Sequence, residues 1–402
     1  MKKVYLFSLC FIFISVEIYG FQTLENDTIT AKDILKPNIL STHPFGLFFN
    51  RIQGNFKTKP SINSQLSLNL DSGNVWGTPI TVYIPNDPNI RNEIKALEWD
   101  QAQYFYDEES LDAEVYSLQI DGVIKSFRVN GTFAINERSE LVIATRLFML
   151  TEGKSPFSIF TSDKFIENFH SKIAGGNDPF DRQVFGLNNA QITYTDRRGR
   201  TLDLGKNDVI FGGFETSYYY YPTNWGNEAL KLNIGSHLGI NLSKYNSSLD
   251  VGASINGIYT YNIGHASNIN FGVGIGAMNK GIIKLQNDNL DFGSNSFIGH
   301  LETVIEFNFN SKKDVIHAIG LDYYLQTRLF KRSELDYSIL IRHPDAHNSW
   351  GHGVTNLYKT NNYWSLYYAF GKKVIKSLYL QQDFQVNNNP DIQTGIGVSF
   401  QL

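Results

Sequence analysis

The sequence predicts an all-β fold, a transmembrane antiparallel β-barrel of about 14–16 strands with an N-terminal periplasmic segment or plug. The main observation comes from Glu228–Phe309, where apolar and polar residues alternate in three successive runs. In the second run the apolar positions are Leu249, Val251, Ala253, Ile255, Tyr259, Tyr261 and Ile263. Side chains alternate across a strand with period two, so each run has one apolar face and one polar face. Strands of about 9–11 residues cross a membrane in a tilted barrel, and these runs are at least that long.

Composition supports the same fold class. Hydrophobic residues make up 42% of the chain and aromatic residues 14%, a balance that suits an apolar exterior around a polar interior. Beyond the N-terminus no run of about 18 apolar residues occurs, which excludes a helical membrane protein. The formal net charge of −4 provides no basic patch for nucleic acid, so we expect no nucleic-acid partner.

Residues 1–20 have the pattern of a secretory signal peptide. Lys2 and Lys3 precede the apolar run Val4–Val16, and Gly20 offers a small residue for cleavage. A membrane anchor is the alternative, although the run is short for one. The single cysteine, Cys10, lies in this run, so the mature chain would lack cysteine, as suits an exported barrel. The sequence thus predicts export to a bacterial outer membrane through a cleaved signal peptide.

Residues 21–62 precede the predicted barrel of residues 63–402 and show no sustained periodicity. We interpret them as a periplasmic segment or as a plug in the barrel mouth. Their one apolar cluster is His43–Phe49. That cluster is either a plug contact or the first strand.

Further strands and loops follow in order along the chain. Alternation outside Glu228–Phe309 predicts strands at Gln65–Leu70, Val75–Ile84, Glu114–Ile120, Val123–Ala134, Leu141–Leu150, Val315–Phe330, Leu335–Arg342, Tyr363–Gly371, Leu378–Val386 and Ile392–Leu402. Asp121-Gly122 is a tight-hairpin signal between two of them. Residues 86–112 and 155–189 are predicted loops, and Asp163–His170 has the pattern of a short helix capped by Ser162 or Asp163.

The chain ends in a strand that carries Phe400, an arrangement that resembles the assembly signal of outer-membrane barrels. We therefore expect the outer-membrane assembly machinery and the surrounding lipids as partners. If the C-terminus is periplasmic, alternating connections put His343–Asn362 outside and Lys284–Ser296 in the periplasm. The second of these is long for a periplasmic turn.

Several short motifs carry a family resemblance: Asp121-Gly122, the segment Phe165–His170, Arg182 and Tyr194 before a turn at Arg198-Gly199, and His43-Pro44-Phe45 near the N-terminus. With them, about half of the chain resembles an uncharacterised family of proteobacterial outer-membrane proteins, a "domain of unknown function" family. The sequence departs from that family in having His43 for an asparagine and Val123 for an acidic residue, and it lacks Gly-Leu-Pro after His170. The resemblance implies a barrel but no reaction, and the early element is only distantly analogous to that of fatty-acid-type channels.

Polar side chains on predicted inner faces and loops are the candidate site residues. They are Asp163, His170, Arg182, His300, Glu302, Glu306, Asp322 and Arg328. Charges on an inner face bear on selectivity because their field acts on a passing solute. The alternative is a solvated interior whose charges pair with one another. For His170, a loop histidine bonded to backbone is the alternative to a lumen anchor or ligand contact.

The sequence favours a passive channel or carrier for a small solute, hydrophobic solutes included, over an enzyme. One alternative is an outer-membrane acyl hydrolase in which His347 activates Ser349. A structural or surface-binding barrel is another. We expect neither a metal nor a cofactor, although His343, His347 and His352 share a loop. The loop of residues 155–189 is predicted to fold against the lumen and restrict passage, since its apolar side chains would be poorly placed in water.

Overall fold

The computed structural model describes residues 33–40, 43–83, 86–95, 115–154, 158–174, 186–187, 189–196, 198–263, 267–311, 315–331, 347–348, 360–383 and 392–402. Its strands are β1 (Gln65–Tyr83), β2 (Val115–Asn136), β3 (Ser139–Thr151), β4 (Gln191–Thr195), β5 (Thr201–Leu204), β6 (Val209–Tyr220), β7 (Leu230–Leu242), β8 (Ser247–Asn262), β9 (Ser267–Lys284), β10 (Phe297–Asn310), β11 (Ile316–Gln326), β12 (His347–Asn348), β13 (Asn361–Gly371), β14 (Val374–Asp383) and β15 (Ile392–Gln401).

Twelve of these strands close into an antiparallel barrel, in the order β1-β2-β3-β6-β7-β8-β9-β10-β11-β13-β14-β15. The ring closes because β15 pairs with β14 on one side and with β1 on the other, from Gln65 opposite Gln401 to Gly73 opposite Gln393. Each strand of the ring therefore has two neighbours, which satisfies its backbone groups without water.

The barrel is apolar outside and polar inside. Along β8, Val251, Ile255 and Tyr259 are exposed, while the alternate residues Asp250 and Asn256 are fully buried. Apolar residues on the outer face of a closed ring are suited to lipid rather than water. The prediction of a transmembrane antiparallel β-barrel is confirmed.

The predicted count of about 14–16 strands is wrong, partly because two pairs of predicted strands are single long strands. Gln65–Leu70 and Val75–Ile84 both belong to β1, and β2 runs through the predicted hairpin at Asp121-Gly122. Instead of a turn, this dipeptide marks a change of partner, from β4 up to Asp121 to β3 from Val123 onward. Gly122 has a φ of +151°, and a Cβ there would lie 2.8 Å from Leu150 Cδ1, so a glycine is needed at the crossing.

Strand β6 does not appear among the predicted strands. A bulge opposite Arg146-Leu147 interrupts its register at Gly212-Gly213. Outward residues such as Phe211 before the bulge and Phe214 after it are therefore out of phase with each other. Leu335–Arg342, a further predicted strand, lies outside the described residues.

Connections of unequal length leave the two ends of the barrel. The connections β1–β2, β3–β6, β7–β8, β9–β10, β11–β13 and β14–β15 lie at one end. We call it the long-connection end, because every one of these except the β7–β8 turn is at least eight residues long. The other five connections lie at the opposite end. The expectation that Lys284–Ser296 lies at the same end as the C-terminus is wrong. It came from counting Leu335–Arg342 as a strand of the ring, which inverted every connection before it.

Helical structure in the described residues is short. It consists of α1 (Pro88–Lys95), α2 (Asp163–Phe169), a π-helical turn at His170–Ala174 and a 3₁₀ turn at Gly46–Phe48. The predicted short helix is confirmed, with Ser162 as its N-cap, since its side chain accepts a hydrogen bond from the Phe165 N–H. No helix in the described part of the chain is long and apolar enough to span a membrane.

Candidate functional site

The interior of the barrel holds the described part of residues 33–62, which we call the inner segment. Backbone N–H groups along it donate to carboxylates that point inward from the wall. The bonds are Leu35 to Glu306 (2.8 Å), Gly54 to Glu302 (2.6 Å), Asn50 to Asp250 (2.9 Å) and Ser61 to Glu140 (3.0 Å). These carboxylates lie on β3, β8 and β10, so the segment is bonded to several sides of the ring.

A buried ion pair joins the inner segment to two carboxylates named as candidates from the sequence. The Lys36 ammonium pairs with Glu302 and, at 3.2 Å, with Asp322. The lysine side chain is 7% exposed and both acids are 2% exposed or less. Burial lowers the pKa of Lys36, and the Asp322 carboxylate acts in the opposite direction by favouring the charged form. The pair therefore neutralises charge that an empty lumen would leave to solvent.

An aromatic stack stands next to this pair. The rings of His300 and Tyr324 stack at 5.6 Å, and the Arg51 guanidinium lies 3.9 Å from the centre of the Tyr324 ring. Tyr324 also donates to the Ile52 carbonyl at 3.2 Å. Arg51 brings a second positive charge from the inner segment close to Asp322. The two acids thus face two cations from residues 33–62.

Glu140 anchors the far end of the inner segment. It accepts bonds from Lys57 Nζ at 3.2 Å, from Asn55 Nδ2 at 3.2 Å and from the Tyr221 hydroxyl at 2.7 Å. Asn55 in turn donates to the Tyr221 oxygen at 2.8 Å. Glu140 is fully buried, so its charge is balanced by this set of donors rather than by water.

Donors on the wall reach the carbonyl groups of the inner segment. They are Arg146 Nη1 to Phe49 (2.5 Å), Asn246 Nδ2 to Phe48 (2.7 Å), Asn233 Nδ2 to Asn55 (2.8 Å) and Gln393 Nε2 to Leu40 (3.1 Å). Irregular backbone lacks the bonds of a helix or sheet, so buried carbonyls need such partners. The polar interior side chains are largely occupied in holding this segment.

An apolar cluster lies between the inner segment and residues from the long-connection end, and we call it the apolar cap. Phe45 packs on Tyr194 of β4 at 5.3 Å and edge-on to Phe330 at 5.3 Å, while Phe48 stacks on Phe292 at 4.8 Å. All of these rings are buried. His43–Phe49 is therefore a packed turn against the cap. The alternative that it forms the first strand is wrong, since that strand begins at Gln65.

Residues 158–174 of the 155–189 loop lie on the outer wall. Asp71 faces inward, because it accepts from the Leu40 N–H. Its neighbours Ser72 and Asn74 must then face outward, on the same side as Leu70. The Ser72 hydroxyl is 2.7 Å from that of Thr161, and Asn74 Nδ2 donates to Asp163 at 2.6 Å.

The prediction that this loop folds against the lumen is therefore wrong for residues 158–174. Outward polar groups on β1 and β2 explain the placement. Lys125, also outward, contacts the hydroxyls of Ser72 and Ser158. Such groups on a lipid-facing wall need polar partners, and residues 158–163 supply them.

A groove of about 780 Å³ lies between α2 and the outer wall, and we call it the outer groove. Phe160, Phe165 and Phe169 line one side. Leu366, Leu378, Leu380, Ile396 and other outward side chains line the opposite side. His170 borders it after the end of α2.

The sequence-predicted site residues fall into three groups. His300, Glu302, Glu306 and Asp322 lie together inside the barrel around the inner segment, whereas Asp163 and His170 belong to the outer wall. Arg328 follows the end of β11 with an exposed side chain, so it does not lie on the inner face that carries Asp322. Arg182 is outside the described residues.

The hydrolase alternative rests on two residues of which little is described. His347 forms part of β12, which pairs with the end of β1, and Ser349 lies outside the described residues. A different histidine contacts serines inside the barrel. His237 has Ser217 Oγ 2.8 Å from Nδ1 and Ser254 Oγ 2.8 Å from Nε2. No carboxylate is among its described hydrogen bonds, so the set lacks the acid that orients a catalytic histidine.

Sequence reasoning missed Lys36, Arg51 and Lys57 of the inner segment and Arg146 and Glu140 of the wall. Glu140 stands directly after Ser139 at the start of β3, and Arg146 follows Thr145 in the middle of a largely apolar run in the same strand. A charged residue in phase with a strand's inner face was the available signal. The described residues contain no group of three or more His, Cys, Asp or Glu that could hold a metal ion.

Comparisons with known proteins return barrels of low similarity. No protein-family model matches the chain, and no curated protein does. An outer-membrane channel from Pseudomonas putida F1 is 10% identical, with a TM-score of 0.39, and the match covers 88% of this chain and 100% of that one. The NanC porin is 10% identical with a TM-score of 0.35, covering 69% and 94% respectively. LpxR from Salmonella typhimurium is 8% identical with a TM-score of 0.36, covering 84% and 100%. The resemblance to an uncharacterised outer-membrane family stays a prediction.

Proposed function

We propose that this protein is an outer-membrane channel for a small solute and that residues 33–62 form its plug. The observation that carries the proposal is the buried pairing of Lys36 with Glu302 and Asp322. This pairing belongs to a segment that occupies the lumen and is held there mainly by polar contacts. A plain porin would leave these acids to water. The proposal includes export through a cleaved signal peptide of residues 1–20, which N-terminal sequencing of the mature protein checks.

The chemistry of the plug contacts supports movement rather than permanent sealing. Buried ion pairs contribute little net free energy compared with their solvated state, because desolvation offsets their attraction. Hydrogen bonds between plug and wall can likewise be exchanged for bonds to water when the plug withdraws. The apolar cap is the part that resists opening, since burial of its rings is favourable.

The wall that remains after withdrawal indicates the class of solute. The plug-facing carboxylates are Asp71, Glu140, Asp250, Glu302, Glu306 and Asp322. Withdrawal removes Lys36 and Lys57, which pair with three of them. The field of the open lumen would then be negative, which favours a small cationic solute over an anionic one. The proposed solute is therefore polar and positively charged rather than hydrophobic.

Planar-bilayer recording tests the proposal. We expect the full-length protein to conduct rarely and a variant lacking residues 33–62 to conduct steadily. In a potassium chloride gradient, the reversal potential of the variant should show preference for the cation. Equal conductance of both proteins, with both correctly folded by heat-modifiability on gels, would contradict the plug. An anion-selective variant would leave the plug standing and overturn the cationic solute.

A further inference from the structure

The outer groove faces the side of the barrel that lipid surrounds. Leu70, Leu366, Leu378 and Ile396 line it and are each between 39% and 55% exposed. They belong to β1, β13, β14 and β15, which are consecutive strands of the closed ring. The floor of the groove is therefore a part of the apolar outer wall that residues 158–174 overhang.

The overhanging segment is itself apolar toward its surroundings. Ile159 and Ile173 are 76% and 73% exposed, and Phe169 is 41% exposed. Three rings form a row beside the groove, with Phe160 edge-on to Phe165 at 5.3 Å and Phe165 stacked on Phe169 at 6.4 Å. A segment that exposes this much apolar surface is suited to contact with hydrocarbon rather than water.

The described polar bonds that fix the segment to the wall lie on one side of the groove. Asn74 donates to Asp163 and Ser72 contacts Thr161 above β1, whereas the groove itself is lined mostly by apolar side chains, with Gln382 and Thr394 as polar members of the lining. The segment therefore stands away from the wall there instead of packing directly on it. A space between two apolar surfaces, inside a membrane protein's lipid-facing layer, requires an apolar occupant.

We propose that the outer groove binds an acyl chain of a surrounding membrane lipid, held between the aromatic row of residues 158–174 and the outer wall. The occupant is argued from continuity: the floor of the groove is the same apolar wall that the bilayer covers. A flexible hydrocarbon chain fits such a groove without needing polar partners. This site is separate from the proposed channel, because it lies on the opposite face of the wall.

Photo-crosslinking from a lipid chain tests this site. The full-length protein is reconstituted into vesicles of phosphatidylethanolamine and phosphatidylglycerol that contain a trace of phosphatidylcholine with a diazirine near one acyl terminus. After illumination and digestion, we expect label on peptides from residues 158–174 and β14 well above that on the outward positions of β8 and β9. Uniform labelling of all outward faces would overturn the proposal.

A matched pair of variants separates a bound chain from ordinary lipid contact. Leu378→Trp fills the groove, and Ile305→Trp places the same ring at an exposed outward position of β10 outside it. We expect the first to lose most of the label on residues 158–174 and the second to keep it. Equal labelling of the two would contradict the site.

Two further readouts distinguish lipid binding from misfolding and from self-association. If Leu378→Trp fails to fold by heat-modifiability, Leu380→Trp replaces it, since that residue lines the same groove. Protein-to-protein crosslinks at residues 158–174, without lipid label, would mean that a second copy of the chain covers the groove and would overturn the proposal. These experiments measure no channel current, so a negative result for lipid binding does not bear on the proposed channel. A negative result in the channel recordings likewise does not bear on lipid binding.

Discussion

The buried ion pair of Lys36 gives the sharpest test of how the plug is held. Lys36→Met keeps a side chain of similar length but removes the ammonium that pairs with Glu302 and Asp322. Glu302 keeps the Gly54 N–H as a donor at 2.6 Å. The variant thus leaves two buried acids facing a single remaining cation, Arg51.

The expected magnitude follows from the cost of an unpaired buried charge. Removing one partner of a buried pair destabilises the state that buries it by about 3–5 kcal/mol. In the open channel the same carboxylates are hydrated, so the penalty falls on the closed state alone. Since each 1.4 kcal/mol or so is tenfold in an equilibrium constant, the ratio of closed to open channels should fall by roughly 10²–10⁴-fold.

Single-channel recording measures this ratio as open probability. Lys36→Met should open far more often than the unmodified protein, with an unchanged unitary conductance, because the wall is unaltered. The matched control is Lys59→Met, in the same segment, since Lys59 is exposed and has no ion pair among the described contacts. It should behave like the unmodified protein.

Two results would refute this reasoning. If Lys36→Met and Lys59→Met show the same open probability, the ion pair does not hold the plug. If Lys36→Met also carries Glu302→Gln, one acid, Asp322, remains beside the one remaining cation, Arg51, and closure should largely return. Failure of this double variant to close would mean that the lysine acts through its shape rather than its charge.

The remaining predictions concern assembly, lipid contact and the outer segment. A chain truncated after Gly395 should not reach the outer membrane, because it lacks the residues of β15 that pair with the start of β1 and close the ring; normal levels in membrane fractions would count against this closure. Val273→Arg, at a position 48% exposed on the outer face, should cost about 2–4 kcal/mol of insertion free energy and impair folding into bilayers. Gly274→Arg should fold but release the plug, since its Cβ would lie 2.8 Å from Asn256 Oδ1 and 3.4 Å from Gly54 Cα, so the rest of the side chain would enter the space of the inner segment. Equal folding of these two variants by heat-modifiability would refute the assigned faces. Deleting residues 158–174 should leave unitary conductance unchanged, because the segment lies outside the wall. A larger conductance would mean that the segment lies in the lumen.

The strands of the central block could be predicted from the sequence because their signal is local. In β8 and β9 the register runs almost without interruption, and every second residue faces outward. In such a wall, the apolar surroundings outside and the polar interior produce a strict alternation of apolar and polar residues along each strand. The bulge at Gly212-Gly213 shifts the alternation by one residue, so periodicity does not predict β6, although the strand alternates regularly on either side of the bulge.

The use of the inner carboxylates was not predictable in the same way. Polar residues such as Glu302 and Glu306 are expected on the inner face of a strand both when that face is in contact with water and when it is in contact with another part of the chain. The sequence pattern is the same in the two cases. Their partners come from residues far away in the chain, with a separation of 248 residues between Gly54 and Glu302 and of 271 residues between Leu35 and Glu306. A pairing over that distance leaves no periodic trace in either segment.

The sequence by itself determined the class of the protein, an outward-apolar barrel, since alternation is a property of neighbouring residues on one strand. Only the tertiary structure decided that the inner segment lies inside the barrel and that residues 158–174 lie outside it. Both segments are aperiodic and rich in apolar residues, and nothing local distinguishes them. The choice depends on which face of the closed wall offers each segment its partners: Glu302 and Asp322 inward for Lys36, and Asn74 outward for Asp163.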